Sequence, residues 1–202
     1  MKLLDTRREL EKYLSAQGLN RCDCSIAVEG LIFDADDKLV LLLRGPATRD
    51  EHYKLEGIGG RFEKEDKSLI ACLQREIKEE IGMPTHVGAE CADAQVDISR
   101  LLEVRQVSFR DSRDKLVDWI VVSMLCRMRS GLAYNREAPK HLGICRLSLT
   151  ELMNWPVEIE RDHEDRIVRP GLSASLVAGR EAYKKIYGLT PYYQIPDQAV
   201  DD

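Results

Sequence analysis

The sequence predicts a mixed α/β (α+β) fold in which a mixed β-sheet lies between helices. Three observations lead to it. Segments of helical and of strand period interleave along the chain. Neighbouring strand-like runs are joined by short polar turns, which makes hairpins and not the long crossovers of a doubly wound parallel sheet. The helical segments are amphipathic, so each needs a sheet face to cover its apolar side.

Taken in order, residues 3–17 read as a helix, with Leu3, Leu10 and Leu14 at helical spacing and Gly18 as its stop. Ser25 to Phe33 reads as a strand, Asp34-Ala35-Asp36-Asp37 as a turn, and Lys38 to Arg44 as the returning strand. Gly45-Pro46 opens a polar loop running to about Lys54, and Gly57, Gly59 and Gly60 crowd one tight spot. Ser68 is placed to cap a helix that ends at Ile81, before Gly82 and Pro84. Two long strands follow, Gln95–Arg110 and Leu116–Met128, joined by a polar turn at Asp111–Lys115. A further strand covers Leu142–Leu149, and Thr150 starts a short helical turn that stops at Pro156. The charged stretch Glu158–Arg169 reads as a loop, and a last helix runs from Leu172 to Tyr187. Residues 189–202 read as a loosely ordered tail.

Composition narrows the function. The chain has 202 residues, 44% apolar and 32% charged, as expected of a soluble globular protein. A net charge of −5 gives no broad basic surface, which argues against a nucleic-acid partner. No run reaches the roughly 18 apolar residues of a membrane span. The start Met1-Lys2-Leu3-Leu4-Asp5-Thr6-Arg7 is charged and does not read as a secretory segment. The cysteines Cys22, Cys24, Cys72, Cys91, Cys126 and Cys145 mostly sit in apolar runs, without zinc-site spacing. They are expected as reduced thiols of a cytoplasmic protein.

The chemistry concentrates between Gly59 and Met83. Glu76, Glu79 and Glu80 stand at i, i+3 and i+4, one narrow arc of a helix. Such an arc alone is most often a solvated face. Here an apolar stripe of Ile70, Leu73, Ile77 and Ile81 runs beside it, and glycines precede the helix, able to approach a ligand closely. Packed carboxylates of this kind suit a hard cation such as Mg²⁺, which takes oxygen ligands and bridges to phosphates.

This segment resembles the signature of the Nudix family: Gly, five residues, Glu, seven residues, then Arg-Glu-apolar-x-Glu-Glu-x-Gly-apolar. Arg75, Glu76, Ile77, Glu79, Glu80, Gly82 and Met83 match the second half position by position. The first half departs. Five residues on from Gly60 stands Asp66 in place of Glu, and eight residues then precede Arg75. One extra loop residue, with Asp66 or Glu65 substituting for the loop glutamate, accounts for both. Ile58 stands where the family often has Pro.

The resemblance implies an α/β/α Nudix sandwich over residues 21–188, preceded by a helical extension at 1–20. It implies Mg²⁺ or Mn²⁺ held by Glu76, Glu79 and Glu80, Arg75 positioning a glutamate, and Gly59 and Gly60 shaping the metal site and substrate approach. The implied activity cleaves the diphosphate linkage of a small nucleotide-like substrate, a nucleoside diphosphate linked to another moiety such as a sugar or ribose. The alternatives are a (d)NTP pyrophosphohydrolase and a non-catalytic binding module. Glu137, before the strand at 142, is the candidate for an extra catalytic glutamate; Glu160, Asp162, His163, Glu164 and Asp165 are a second source. Arg44 and Arg49 are candidates to face phosphates, Tyr53 and Trp119 to stack on a base. His52, His86 and His141 show no metal spacing among themselves. A homodimer, in which the N-terminal helix packs across the interface, is a further expectation.

Overall fold

The computed structural model describes residues 4, 6–17, 24–82, 95–110, 116–131 and 133–187. The expectations placed on Gly18, Cys22, Met83, Pro84, His86, Cys91, the turn at 111–115 and the tail lie outside these residues.

Helix α1 (Arg7–Ala16) begins at a reciprocal cap, in which the Glu9 amide donates to the Thr6 hydroxyl and the Thr6 amide to the Glu9 carboxylate, both at 3.1 Å. Its apolar stripe, Leu10 and Leu14, is buried in the core of its own chain. Strand β1 (Ser25–Phe33) and β2 (Lys38–Arg44) form the first hairpin. Its turn is held by Asp34, whose Oδ1 accepts from the amides of Asp36 and Lys38 at 2.9 and 3.0 Å.

The glycine-rich segment, read from the sequence as one tight spot, folds as two short strands, β3 (Lys54–Glu56) and β4 (Ile58–Arg61). β1 pairs with β2 only at Ile32 and Phe33, while β4 pairs with Ala27 to Gly30. The two hairpin strands therefore diverge, and β4 fills the split between them with Gly59 and Gly60. Helix α2 (Leu69–Glu80), β5 (Gln95–Arg110), β6 (Leu116–Ser130) and β7 (His141–Ser148) follow. β6 lies parallel to β1, and β7 lies antiparallel to β2. Short helix α3 (Leu149–Asn154) leads to β8 (Glu160–Arg161) and β9 (Ile167–Arg169). These two make a small hairpin where a loop was expected. β10 (Gly171–Leu172) joins the edge of the main sheet beside β3, and α4 (Ala174–Tyr187) closes the described chain.

Strand period two sorts the side chains between two cores. Val28 and Ile32 of β1, with Val40 and Leu42 of β2, pack with α1 and α2. Leu31 of β1, with Leu39 and Leu41 of β2, packs with α3 and α4. Each fully buried leucine contributes about 2 kcal/mol. Helices thus cover both faces of a mixed sheet, the sandwich expected from sequence. Arg180 of α4 ties the second layer by donating to the carbonyls of Leu152 and Trp155 at the end of α3.

One thiol expectation needs correction. Cys72, Cys126 and Cys145 are free, but Cys24 is disulfide-bonded. Among the described residues, no helix is long and apolar enough to cross a membrane.

Candidate active site

Ser68 caps α2 by accepting from the Ala71 amide at 3.1 Å. Leu69, Leu73 and Ile77 bury the helix against the sheet. That packing carries two of the three arc carboxylates inward: Glu76 is 8% exposed and Glu80 only 2%. Glu79 points outward, with half of its side chain exposed. Buried carboxylates of this kind need a partner.

The strand glycines supply part of it. The Gly59 amide donates to Glu80 Oε2 at 3.0 Å. A methyl group on Gly60 would lie 2.4 Å from Glu76 Oε1, so the carboxylate rests against bare backbone. Gly60 is bare where β4 and the acidic face of α2 touch, and Gly59 where β4 lies against the backbone of β1.

Arg75 organises the other side. Its Nε and Nη2 donate to the two oxygens of Asp66 at 3.0 and 3.1 Å. Nη1 reaches Glu76 Oε1 at 2.8 Å and Glu79 Oε2 at 2.9 Å, and Nη2 also reaches the Arg61 carbonyl. The extra loop residue is absorbed in a turn in which the Asp66 amide donates to the Glu63 carbonyl and Asp66 Oδ2 accepts from the Glu63 amide. Asp66 therefore takes the pairing position, while Glu65 is exposed. The Arg75 guanidinium holds the Asp66 carboxyl at about 2, below the ordinary 3.8.

A second wall comes from the segment before β7. The amides of Tyr134 and Arg136 donate to the carbonyls of Ile81 and Glu80, and the Arg136 guanidinium to the Lys78 carbonyl at 3.0 Å. This straps the segment to the end of α2 and brings Glu137 to the arc. Lys140 Nζ bridges Glu80 Oε1 at 3.0 Å and Glu137 Oε2 at 2.8 Å. Behind it, buried His141 places Nε2 3.0 Å from Glu56 Oε1, and Glu56 is ion-paired with Arg44.

Burial pushes the Glu80 carboxyl up to about 8, with Lys140 and the Gly59 amide pulling it back part of the way. Burial raises Glu76 as well, opposed by Arg75. Desolvation works against the Lys140 charge, yet Glu80 and Glu137 hold it above the ordinary lysine value. A cluster whose carboxylates already close around an ammonium fits a divalent cation. One ligand atom each from Glu80, Glu137 and His141 lies within 4.8 Å of the other two.

The NUDIX domain family model matches residues 25–167. The chain belongs to the NUDIX family. No curated protein matches its sequence. Solved NUDIX structures share the fold at low identity. The NUDIX hydrolase from Nitrosomonas europaea is 16% identical, with a TM-score of 0.55 over 87% of this chain and 99% of that one. The MutT NUDIX hydrolase from Burkholderia pseudomallei is 18% identical, with a TM-score of 0.52 over 78% and 96%. The NUDIX domain of Shewanella oneidensis NrtR, complexed with ADP ribose, is 14% identical, with a TM-score of 0.54 over 88% and 97%.

Within this NUDIX frame the other sequence candidates separate. Arg44 lies beneath the site, its guanidinium engaged by Glu56 and Asp50. Arg49 sits on the exposed loop and pairs with Asp50 at 3.5 Å. Tyr53 meets His52 edge-on, and Trp119 of β6 lies under the Arg61 guanidinium at 5.8 Å. In the β8–β9 hairpin, Asp162 and Glu164 pair with Arg166, and Glu160 pairs with Arg169. The hairpin's charges are largely engaged with one another. Glu56 and His141 are additions that sequence reasoning passed over.

The raised Glu80 carboxyl would make binding of a cation at this site pH-dependent. Its value in the folded chain lies above the ordinary 4.5. The metal-free protein therefore has this contribution to stability in full below 4.5 and loses it as pH rises through about 8. A cation needs the ionised form, so its affinity is expected to rise by up to about tenfold per unit toward pH 8 and then level off. Thermal denaturation with and without Mg²⁺ checks this: the metal-induced gain in Tm should be larger at pH 8 than at pH 6. An equal gain at both would place the titrating group elsewhere.

Proposed function

We propose that the protein is a Mg²⁺- or Mn²⁺-dependent hydrolase that cleaves the diphosphate linkage of a nucleoside diphosphate joined to another moiety, such as a nucleotide sugar or ADP-ribose. The observation that carries the reading is the convergence of Glu76, Glu79 and Glu80 on one face of α2 with Glu137 beside Glu80, all oriented by built contacts. Glu76, Glu79 and Glu80 would hold the cation. When bound, the cation neutralises phosphate charge and acidifies a water.

The chain's own residues do the rest. Arg75 fixes Glu76 and Glu79 through the anchor at Asp66. Gly59 fixes Glu80. Glu137 accepts the proton of the attacking water as its oxygen bonds to phosphorus. The bridging P–O bond breaks, and the leaving phosphate departs with the electron pair. The ADP ribose complex of the NrtR domain supports a substrate of this class. A small-molecule substrate in the cytoplasm, with no nucleic-acid partner, completes the reading.

The test is a phosphate-release screen of purified protein with Mg²⁺ or Mn²⁺ on NDP-sugars, ADP-ribose, dinucleoside polyphosphates, NADH, CoA and all (d)NTPs, with Glu80→Gln as the blank. Turnover of an NDP-linked compound that disappears in the variant supports the proposal. Turnover confined to (d)NTPs would overturn the substrate class. Silence in the screen together with no divalent-metal binding would overturn the enzyme.

A further inference from the structure

His141 has no task in the mechanism above, yet its side chain is 0% exposed at the edge of the acidic site. It is the first residue of β7, and the strand pairing sets it opposite Arg44 of β2. Its Nε2 lies 3.0 Å from Glu56 Oε1. An ionised carboxylate only accepts, so Nε2 carries the hydrogen, and in the neutral ring Nδ1 keeps a free lone pair.

That Nδ1 is buried without a hydrogen-bond partner. The carboxylate oxygen nearest to it, Glu137 Oε2, is 3.9 Å away, beyond bonding distance. An acceptor left bare inside a protein is costly, and a carboxylate oxygen cannot satisfy a lone pair. A cation can. Glu80 Oε1 lies 4.0 Å from Nε2 across the ring, and one ligand atom each from Glu80, Glu137 and His141 lie within 4.8 Å of one another, the spacing of a site for one ion.

A metal-bound histidine usually donates its other ring N–H to a carboxylate, which fixes the tautomer and aims the lone pair. Glu56 stands in that relation to His141. Arg44 in turn holds Glu56, and is itself held by the Asp50 carboxylate at 2.8 Å and the Asp50 carbonyl at 3.0 Å. The chain Asp50–Arg44–Glu56–His141 thus runs from the loop after β2 to the acidic site. Lys140 now lies between the two carboxylates, but its side chain is 43% exposed and can swing into solvent when an ion enters.

We propose that His141 is a metal ligand: its Nδ1 joins Glu80 in a mixed nitrogen–oxygen site bordered by Glu137, with Glu56 orienting the ring and Arg44 orienting Glu56. The inference rests on the metal-dependent reading of the site. An imidazole ligand shifts preference from Mg²⁺ toward Mn²⁺ and Co²⁺. His141→Gln should therefore lower Mn²⁺ affinity by at least about tenfold and Mg²⁺ affinity by less.

The deciding experiment is electron spin-echo spectroscopy of the full chain loaded with one equivalent of Mn²⁺, in unlabelled protein and in protein carrying ¹⁵N-histidine. The expected result is a coordinated-nitrogen modulation that changes with the label and is lost in His141→Gln. Should that variant fail to fold, loss of the modulation in Glu80→Gln ties it to the same site. Bound Mn²⁺ without nitrogen coupling would overturn the ligand and leave the hydrolase reading intact. Coupling that survives in folded His141→Gln would overturn it equally. No Mn²⁺ binding at all would overturn both.

Discussion

Glu80→Gln is expected to lower kcat by about 10³-fold or more while leaving the fold intact. A factor of 10³ corresponds to about 4 kcal/mol, the scale on which a bound cation stabilises charge in phosphoryl transfer. The amide is isosteric and keeps an oxygen to accept from the Gly59 amide, so the contact between α2 and β4 survives. It loses the charge that faces Lys140 and the cation. Burial already works against that charge, pushing the carboxyl up to about 8. The metal-free variant should therefore be as stable as the parent or more stable at pH 8, and should lose the metal-induced gain in Tm. Paired kinetics and melting curves check both halves. Wild-type kcat in a folded variant would remove Glu80 from the site; a collapsed fold would make its role structural.

How much of this was legible beforehand depended on whether a feature lived along the chain or across it. The spans of β1, β2 and β5 were readable because apolar runs with polar turns at their ends define them locally. The arc of Glu76, Glu79 and Glu80 was readable for the same reason, since helical spacing alone puts the three on one face. β3 and β4 were not, because strands of three and four residues, the second half glycine, carry no alternation to detect. The choice between Asp66 and Glu65 needed geometry: only the former turns back to the Arg75 guanidinium. Glu56 and His141 were missed because their meeting is a fact of register. They are 85 positions apart, and β2 must pair with β3 on one side and β7 on the other to bring them together. Searching the histidines for spacing among themselves could not find a site whose other members are glutamates on different elements. A usable signal was present in Glu137 and His141 at i and i+4, but it points to a site only once the segment is known to strap onto α2.

Gly59→Ala and Gly60→Ala are expected to fail in opposite ways, although the substitutions are chemically identical. A methyl group on Gly59 would stand 2.2 Å from the Val28 carbonyl oxygen and 2.9 Å from the Glu29 Cα. Both are backbone atoms of β1, the strand to which Gly59 is paired. They cannot withdraw without opening the β1–β4 ladder, so this variant should lose about 3 kcal/mol, or roughly 6–12 °C in Tm. On Gly60 the three atoms nearest the methyl all belong to the Glu76 carboxylate, between 2.4 and 2.7 Å away. That group is the end of a flexible side chain and can turn aside. The strand pairing then stands, and Tm should move by less than about 3 °C. Glu76 is displaced instead, away from Arg75. A misplaced ligand of this kind costs about 10²-fold in rate. Melting temperature and kcat measured on the two variants separate the roles. Unchanged Tm in Gly59→Ala would show that β1 and β4 tolerate more space than their register allows. Wild-type kcat in Gly60→Ala would show that Glu76 does not act from the position it holds against the strand.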